Sequence, residues 1–329
     1  MTQHQAHERI ADDPGEATIV ARSDVVVVGG GPAGFSAAIA ARREGASVTL
    51  SERYPYLGGL AAGGMVLVLD DMHNGDEVTT IGICSEMIER MAAVGACVYP
   101  KPEERGQSWD LYRKWARWGA FDFRAQTKPA PIVMAAAFDP DGWKRVSNDM
   151  IEEAGVNVRL HSWFSRTVME GNRATGVICE TKEGRQAIMG EVVIDATGDL
   201  DVAAAAGAPF VHGSYILTTV FRLGGVDTDA AERFALEEPE AYATIDRQAK
   251  RIMGGSWDFW WLKTPLPGIV WCNCPHMTGL DGLSVEDITK ADFLGRKRIY
   301  ALVEFVRARM PGFANRSEER RVGKECRSR

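Results

Sequence analysis

The sequence predicts an α/β fold whose first domain is assembled from two separated segments, with a second α+β domain after it. Three observations carry this. A β-branched run closes on a glycine-rich turn and opens a small-residue helix near the N-terminus. A second β-branched run ends in another glycine turn near residue 198, and past it short strand signals alternate with two long helical stretches. Length agrees: 329 residues, at roughly 150 per domain, suggest about two domains.

Residues 1–22 are polar and without periodicity, and are expected to be a disordered lead-in. Val25–Val28 reads as a buried parallel strand. Gly31–Arg43, with Ala33, Ala37, Ala38, Ala40 and Ala41, reads as a helix packed closely on a sheet, stopped by Gly45. Ser47–Ser51 completes a β-α-β unit. Leu57–Gly64 reads as a glycine-rich loop, and Thr80–Val94 as an amphipathic helix presenting Ile83, Met87, Met91 and Val94. Trp109, Tyr112, Trp115 and Trp118 recur every three residues, which marks a helix face and favours core packing. Asp141–Ala154 is another helix, followed by strands near 156–161, 165–169, 174–180 and 185–188, with turn signals at Gly171-Asn172 and Glu183-Gly184. Glu191–Asp195 is a last buried strand running into Ala196-Thr197-Gly198-Asp199. Beyond it, a strand at 215–223 and helices near 228–252 and 285–309 form the second domain. The expected domains are 23–70 with 139–213, a helical insertion at 71–138, and a truncated cap over 214–315.

The last fourteen residues, Arg316–Arg329, resemble the conceptual translation of a sequencing adapter read into the frame. They are expected to be an artefact on a protein fragment whose native sequence ends near Asn315. The net charge is −7, and −10 without those residues, which hold six Lys/Arg and three Asp/Glu. That charge argues against nucleic acid as a partner, because phosphate-tracking surfaces need clustered Lys and Arg. No run approaches the roughly 18 apolar residues of a membrane span. Six scattered cysteines do not make a disulfide framework, and residues 1–22 hold no apolar signal core, so a cytoplasmic location is expected.

The strongest chemical signal is Gly29-Gly30-Gly31-Pro32-Ala33-Gly34, placed after a strand and before a helix, with Glu52 at the end of the next strand. Gly29 permits the tight turn, Gly31 lets backbone approach a pyrophosphate, and Gly34 lets helix and strand pack. Exposed N–H groups and the helix dipole hold the phosphate charge, and Glu52 accepts from ribose hydroxyls. This is a Rossmann-like dinucleotide site; the competing reading is a purely structural β-α-β turn.

Asp24–Gly34 with Ser36-Ala37-Ala38, Glu52-Arg53 and Leu57-Gly58-Gly59 resembles the FAD-binding segment of glutathione-reductase-like flavoproteins. Val192–Asp199 resembles their second cofactor motif, and Asp195–Pro209 looks most like a broad group of FAD-dependent oxidoreductases distantly related to fumarate reductase and succinate dehydrogenase flavoproteins. The resemblance spans about residues 23–70 and 139–225 well. It implies a Rossmann-like FAD-binding domain with an α+β substrate domain. It puts the pyrophosphate on Gly31–Gly34, the ribose on Glu52 and the adenine beside Arg53, edged by Phe164. Gly58 and Gly59 would pass along the flavin, and Thr197-Gly198 near the pyrophosphate. NAD is the alternative for the first motif alone. Leu60 and Ala61 follow the double glycine where succinate dehydrogenase relatives carry a flavin-linked histidine, so non-covalent FAD is expected.

The expected function is hydride transfer between a small-molecule substrate and the flavin, with an unidentified electron donor or acceptor. A flavin monooxygenase, an NAD-linked dehydrogenase of the same fold or a non-catalytic flavin-binding protein are the alternatives. Arg222 is a candidate clamp for a substrate carboxylate, against simple pairing with a nearby acid. His73 and His212 are weaker candidates. Cys272-Asn273-Cys274-Pro275-His276 offers only three local ligands, so no metal is expected, and a loop packing Trp271 is the preferred reading. Trp257–Trp261 reads as core or as an aromatic wall for the substrate or flavin.

Overall fold

The computed structural model describes residues 15–70, 72–119, 128–213, 216–255, 258–314, 320–322 and 326–327. The first part of the chain runs β1 (Thr18–Val28), α1 (Pro32–Arg43), β2 (Val48–Ser51), the single turn α2 (Gly59–Ala62), and the short strands β3 (Val68–Leu69), β4 (His73–Asn74) and β5 (Glu77–Val78). Then come α3 (Ile83–Ala93), β6 (Cys97–Val98), α4 (Trp109–Trp115), β7 (Ala136–Phe138) and α5 (Pro140–Glu153). The strands β8 (Asn157–Arg159), β9 (Trp163–Glu170), β10 (Arg173–Thr181) and β11 (Gly184–Asp195) follow, with α6 (Asp201–Ala205) after them.

These strands form a six-stranded sheet in the order β8-β2-β1-β11-β10-β9. The β8-β2-β1-β11 side is parallel, and β9 and β10 add an antiparallel edge. Side-chain alternation along β1 divides the core. Val27 and the half-buried Val25 pack with α1, α3 and α5, whereas Val26 and Val28 pack with Val177, Ile188 and Val202 on the other face. Each fully buried aliphatic here contributes about 1.5–3 kcal/mol of transfer free energy.

Two strand expectations change. Thr18–Arg22 is not lead-in but the first half of β1, paired from Thr18↔Gln186 onward; residues 1–14 of that lead-in lie outside the described residues. The separate strands expected at 185–188 and 191–195 are one strand, β11, paired with β1 as far as Val28↔Asp195. Gly190, which would ordinarily weaken a strand interior, lies inside it. Its role is steric: a Cβ there would lie 2.7 Å from Val26 Cγ2, so glycine lets β1 and β11 stay in register.

The segment 71–138 is not only helical. It contributes β7 and β6 to a three-stranded sheet, β3-β7-β6, and α3 buries Met87, Ile88 and Met91 in the main core. The aromatic stripe is core only in part: Trp115 is buried, while Trp109 is 41 % exposed. Of the loop expected at 57–64, Gly59–Ala62 closes into the helical turn α2.

The second part contains β12 (Leu217–Thr218), β13 (Phe221–Leu223), α7 (Thr228–Glu237), α8 (Pro239–Ile252), β14 (Trp261–Lys263), β15 (Val270–Cys272), β16 (His276–Met277) and α9 (Val285–Arg309), then β17 (Arg320–Val322) and β18 (Cys326–Arg327). The strand expected at 215–223 splits, β12 joining a β16-β12-β18 sheet and β13 a β14-β15-β13-β17 sheet. Pro239 splits the helix expected over 228–252, because the residue before a proline is pushed out of the α region. Phe221, Trp261, Ile299, Val303 and Phe313 centre a separate core, with Trp261 and Phe259 each 5.7 Å edge-on from Phe313. The aromatic run is therefore core at these positions; Trp257 lies outside the described residues.

Candidate functional site

The glycine turn between β1 and α1 is a backbone cradle. Gly29 takes φ +100 and donates its N–H to the Ser51 carbonyl at 2.8 Å, closing the ends of β1 and β2 together. A Cβ on Gly29 would overlap the Ala196 carbonyl oxygen, and one on Gly34 the Gly29 carbonyl oxygen. Those two glycines are needed by the fold itself. Gly31 differs: its φ is −67, open to any residue, and the nearest atom to a Cβ there is Gly59 Cα at 3.9 Å. Glycine at 31 keeps open the space above the N-terminus of α1, where N–H groups and the helix dipole favour an anion.

A cleft of about 620 Å³ opens there, within the roughly 300–1,000 Å³ of small-molecule and cofactor sites. Gly29, Gly31, Pro32 and Ala33 form its floor, with Glu52 and Arg53 at the end of β2. Gly59, Phe164, Thr197 and Gly198 also line it. Gly34 and Gly58 are not among the lining residues; Gly58 packs against the Trp143 indole and donates to the Gly30 carbonyl at 2.7 Å.

Glu52 is buried, and its carboxylate already holds two backbone groups. Oε2 accepts from Gly30 N at 2.7 Å and Oε1 from Tyr54 N at 2.8 Å. Each carboxylate oxygen has a second lone pair, so ribose hydroxyls can add to these bonds. The same side chain therefore shapes the glycine turn and lines the cleft.

The second motif is tied by one carboxylate. Asp195 Oδ1 accepts from Thr197 N at 3.1 Å and Thr197 Oγ1 at 2.7 Å, and Oδ2 accepts from Ala203 N at 2.9 Å. Thr197 Oγ1 in turn accepts from Asp201 N at 3.0 Å. This leaves Gly198, at φ +87, with nothing within 4 Å of a Cβ position on the cleft side. Burial pushes the Asp201 carboxyl pKa up, and the Arg53 guanidinium opposes that.

At the end of β2, the Arg53 guanidinium lies 5.0 Å from the Tyr54 ring and 5.5 Å from that of Trp163. Trp163 was not singled out from the sequence, because a tryptophan opening an edge strand carries no motif; it lines the cleft and is 53 % exposed. Asp292 and Arg296 on α9 also line it, although at i,i+4 they read in sequence as an ordinary surface pair.

The substrate candidates are not drawn into this cleft. His73 sits in the β4–β5 hairpin with Nδ1 2.9 Å from the Gly75 carbonyl, and exposed His212 lies 3.3 Å from Asp281. Arg222 Nη1 donates to Asp139 Oδ1 at 2.6 Å, joining β13 to the N-cap of α5. Its Nε and Nη2 are buried without an acceptor.

Cys272 and Cys274 are buried and free, and burial pushes both thiols well above their usual range. The neighbouring His276 Nδ1 lies 2.6 Å from Thr218 Oγ1, and burial lowers its pKa to about 4. Among the described residues there is no cluster of three or more metal-ligating side chains, and no helix is long and apolar enough to cross a membrane.

The glycine cradle, the Glu52 carboxylate on the cleft and the second turn together fit a dinucleotide. The chain is 52 % identical over 59 residues to a fumarate reductase (cytochrome) of Shewanella frigidimarina, a match covering 17 % of this chain and 10 % of that protein. It thus spans only a small part of the length of the curated relatives it matches. Among solved structures, p-nitrophenol 4-monooxygenase from Pseudomonas putida aligns with TM-score 0.51 at 13 % identity, covering 94 % of this chain and 68 % of that one. The myxobacterial chondrochloren halogenase, a variant of FAD-dependent halogenases, aligns with TM-score 0.50 at 18 % identity, covering 92 % and 61 %. At such identities these two structures share the fold. The family model for FAD dependent oxidoreductases matches residues 24–326, nearly the whole chain, so the chain belongs to the FAD dependent oxidoreductase family and its cofactor is FAD.

Proposed function

We propose that this protein binds FAD non-covalently in the cleft over Gly31 and transfers hydride between a small-molecule substrate and the flavin. The observation that carries the reading is the cradle itself: an open position above Gly31 at the start of α1, with Glu52 and Thr197-Gly198 on the same cleft. The isoalloxazine supplies the two-electron chemistry when FAD is bound. The chain's own residues bind and orient it. The Gly31–Ala33 backbone faces the pyrophosphate, Glu52 accepts from the ribose, and Arg53 with Trp163 flanks the adenine. The reading extends to a cytoplasmic enzyme with a separate electron donor or acceptor, acting without nucleic acid.

The test is absorbance of the purified protein before and after acid precipitation, with Gly31→Val as the probe. A valine at φ −67 fits the backbone but projects into the pyrophosphate path. The expected result is a flavin band released into the acid supernatant by wild type and absent from a folded Gly31→Val protein. A folded wild type that stays colourless with added FAD would overturn the proposal.

A further inference from the structure

We propose that Arg296, on a helix more than 250 residues downstream of the glycine turn, is a cofactor-binding residue that engages the pyrophosphate of FAD. The inference rests on the FAD reading above and adds a residue to it from the other side of the cleft.

Apart from Asp292 and Arg296, every residue lining the cleft comes from 28–64, 162–164 or 196–201. The two α9 residues are therefore the only lining side chains contributed by the second part of the molecule among the described residues. Their position is held by packing. Gly295, next to Arg296, lies against Thr219, and a Cβ on it would overlap Thr219 Oγ1. One helical turn further on, Ile299, Leu302, Val303 and Val306 are buried in the second core. The N-terminal half of α9 is thereby carried over the cleft as a consequence of how its C-terminal half packs.

Charge then selects the ligand group. The cleft is lined by the carboxylates of Glu52, Asp201 and Asp292 and by the guanidiniums of Arg53 and Arg296. Arg53 is engaged by the Tyr54 and Trp163 rings at one end. Oxidised isoalloxazine is neutral, so the anionic part of FAD is its pyrophosphate, and Arg296 is the cation that α9 adds to the cleft. Asp292 Oδ1 accepts from Arg296 Nη2 at 2.8 Å, which makes Asp292 a positioning residue for the guanidinium. A guanidinium offers five N–H donors in a planar fork, enough to keep this bond and donate to phosphate oxygens as well. Cofactor binding would then clasp α9 to the glycine cradle and join the two parts of the molecule.

The experiment titrates FAD and ADP, by calorimetry, into apo wild type, Arg296→Gln and Arg296→Lys. ADP shares the pyrophosphate and lacks the flavin. Arg296→Gln should weaken both ligands alike, by about tenfold or more, and Arg296→Lys should recover part of that, because a charge-assisted contact is lost in the first and partly kept in the second. Unchanged affinity for both ligands overturns the proposal, as does a loss confined to FAD, which would put Arg296 at the flavin. An equal loss in Arg296→Lys would trace the effect to α9 packing and overturn it too. Wild type binding FAD in the same titrations keeps the FAD reading intact in each of these cases.

Discussion

The two parts of this molecule differ in strand length and in which groups hold their functional surfaces. In the glycine cradle, backbone does the work and is satisfied: Gly29 N on Ser51 O, Gly30 N on Glu52, Gly58 N on Gly30 O. Its strands reach 11 and 12 residues and pair in parallel along their length, with one irregularity between Ile19 and Ala21. The second part is built from strands of two or three residues. Thr219 Oγ1, Arg222 Nε and Nη2, and the indole N–H groups of Trp261 and Trp271 are buried there without partners, as Ser51 Oγ and the Trp115 and Trp143 indoles are in the first part. A ligand part that never changes can be held by backbone, which one short motif encodes. Specific recognition of a substrate needs side chains brought together from distant strands.

The seam between the parts offers the largest effect. Asp139→Ala removes the partner of buried Arg222 and also the α5 cap on Gly142 N, at 3.2 Å. It should cost about 3–5 kcal/mol in chemical denaturation, because an uncompensated charge is left buried. Arg222→Met, which removes the charge and keeps its volume, should cost far less. Equal losses in the two variants would show that the ion pair does not govern the seam.

His276 tests the second part alone. Its folded pKa, about 4, lies below the ordinary 6.5, so the unfolded chain binds the proton more readily. Stability from this group is complete above pH 6.5 and lost as the pH falls toward 4, by about 3 kcal/mol at 1.36 kcal/mol per pH unit. Urea unfolding from pH 7 to 4 should show that slope, and His276→Gln should flatten it. A slope identical in the variant would assign the acid sensitivity to carboxylates instead.

The smallest effect belongs to the cradle. Glu52→Ala loses the acceptor for Gly30 N and the carboxylate proposed to hold the ribose, and should weaken FAD by about 1.5–3 kcal/mol in a fluorescence titration. Glu52→Gln retains one neutral acceptor and should fall between wild type and alanine. Unchanged FAD affinity in both variants would remove Glu52 from the site and leave it a purely structural acid.

Much of the architecture was legible because its cause is local. Val25–Val28, the glycine turn, the alanine-rich α1 and the bounds of α9 follow from φ preferences, side-chain periodicity and caps such as Ser284, all within a few residues. The ends of β1 and β11 were not legible: Thr18–Arg22 extends as a strand because β11 is beside it, and Gly190 is tolerated because Val26 faces it. The same division runs through the site. Adjacent residues encode the backbone of the cradle, and Glu52 stands one crossover away. Trp163, Asp292 and Arg296 carry no local mark, since each is an ordinary surface residue on its own element. Packing of α9 against Thr219 and the second core brings Arg296 to the cleft. Nothing within a few residues of a side chain can specify what distant part of the chain will face it, so only tertiary structure decided that wall of the site.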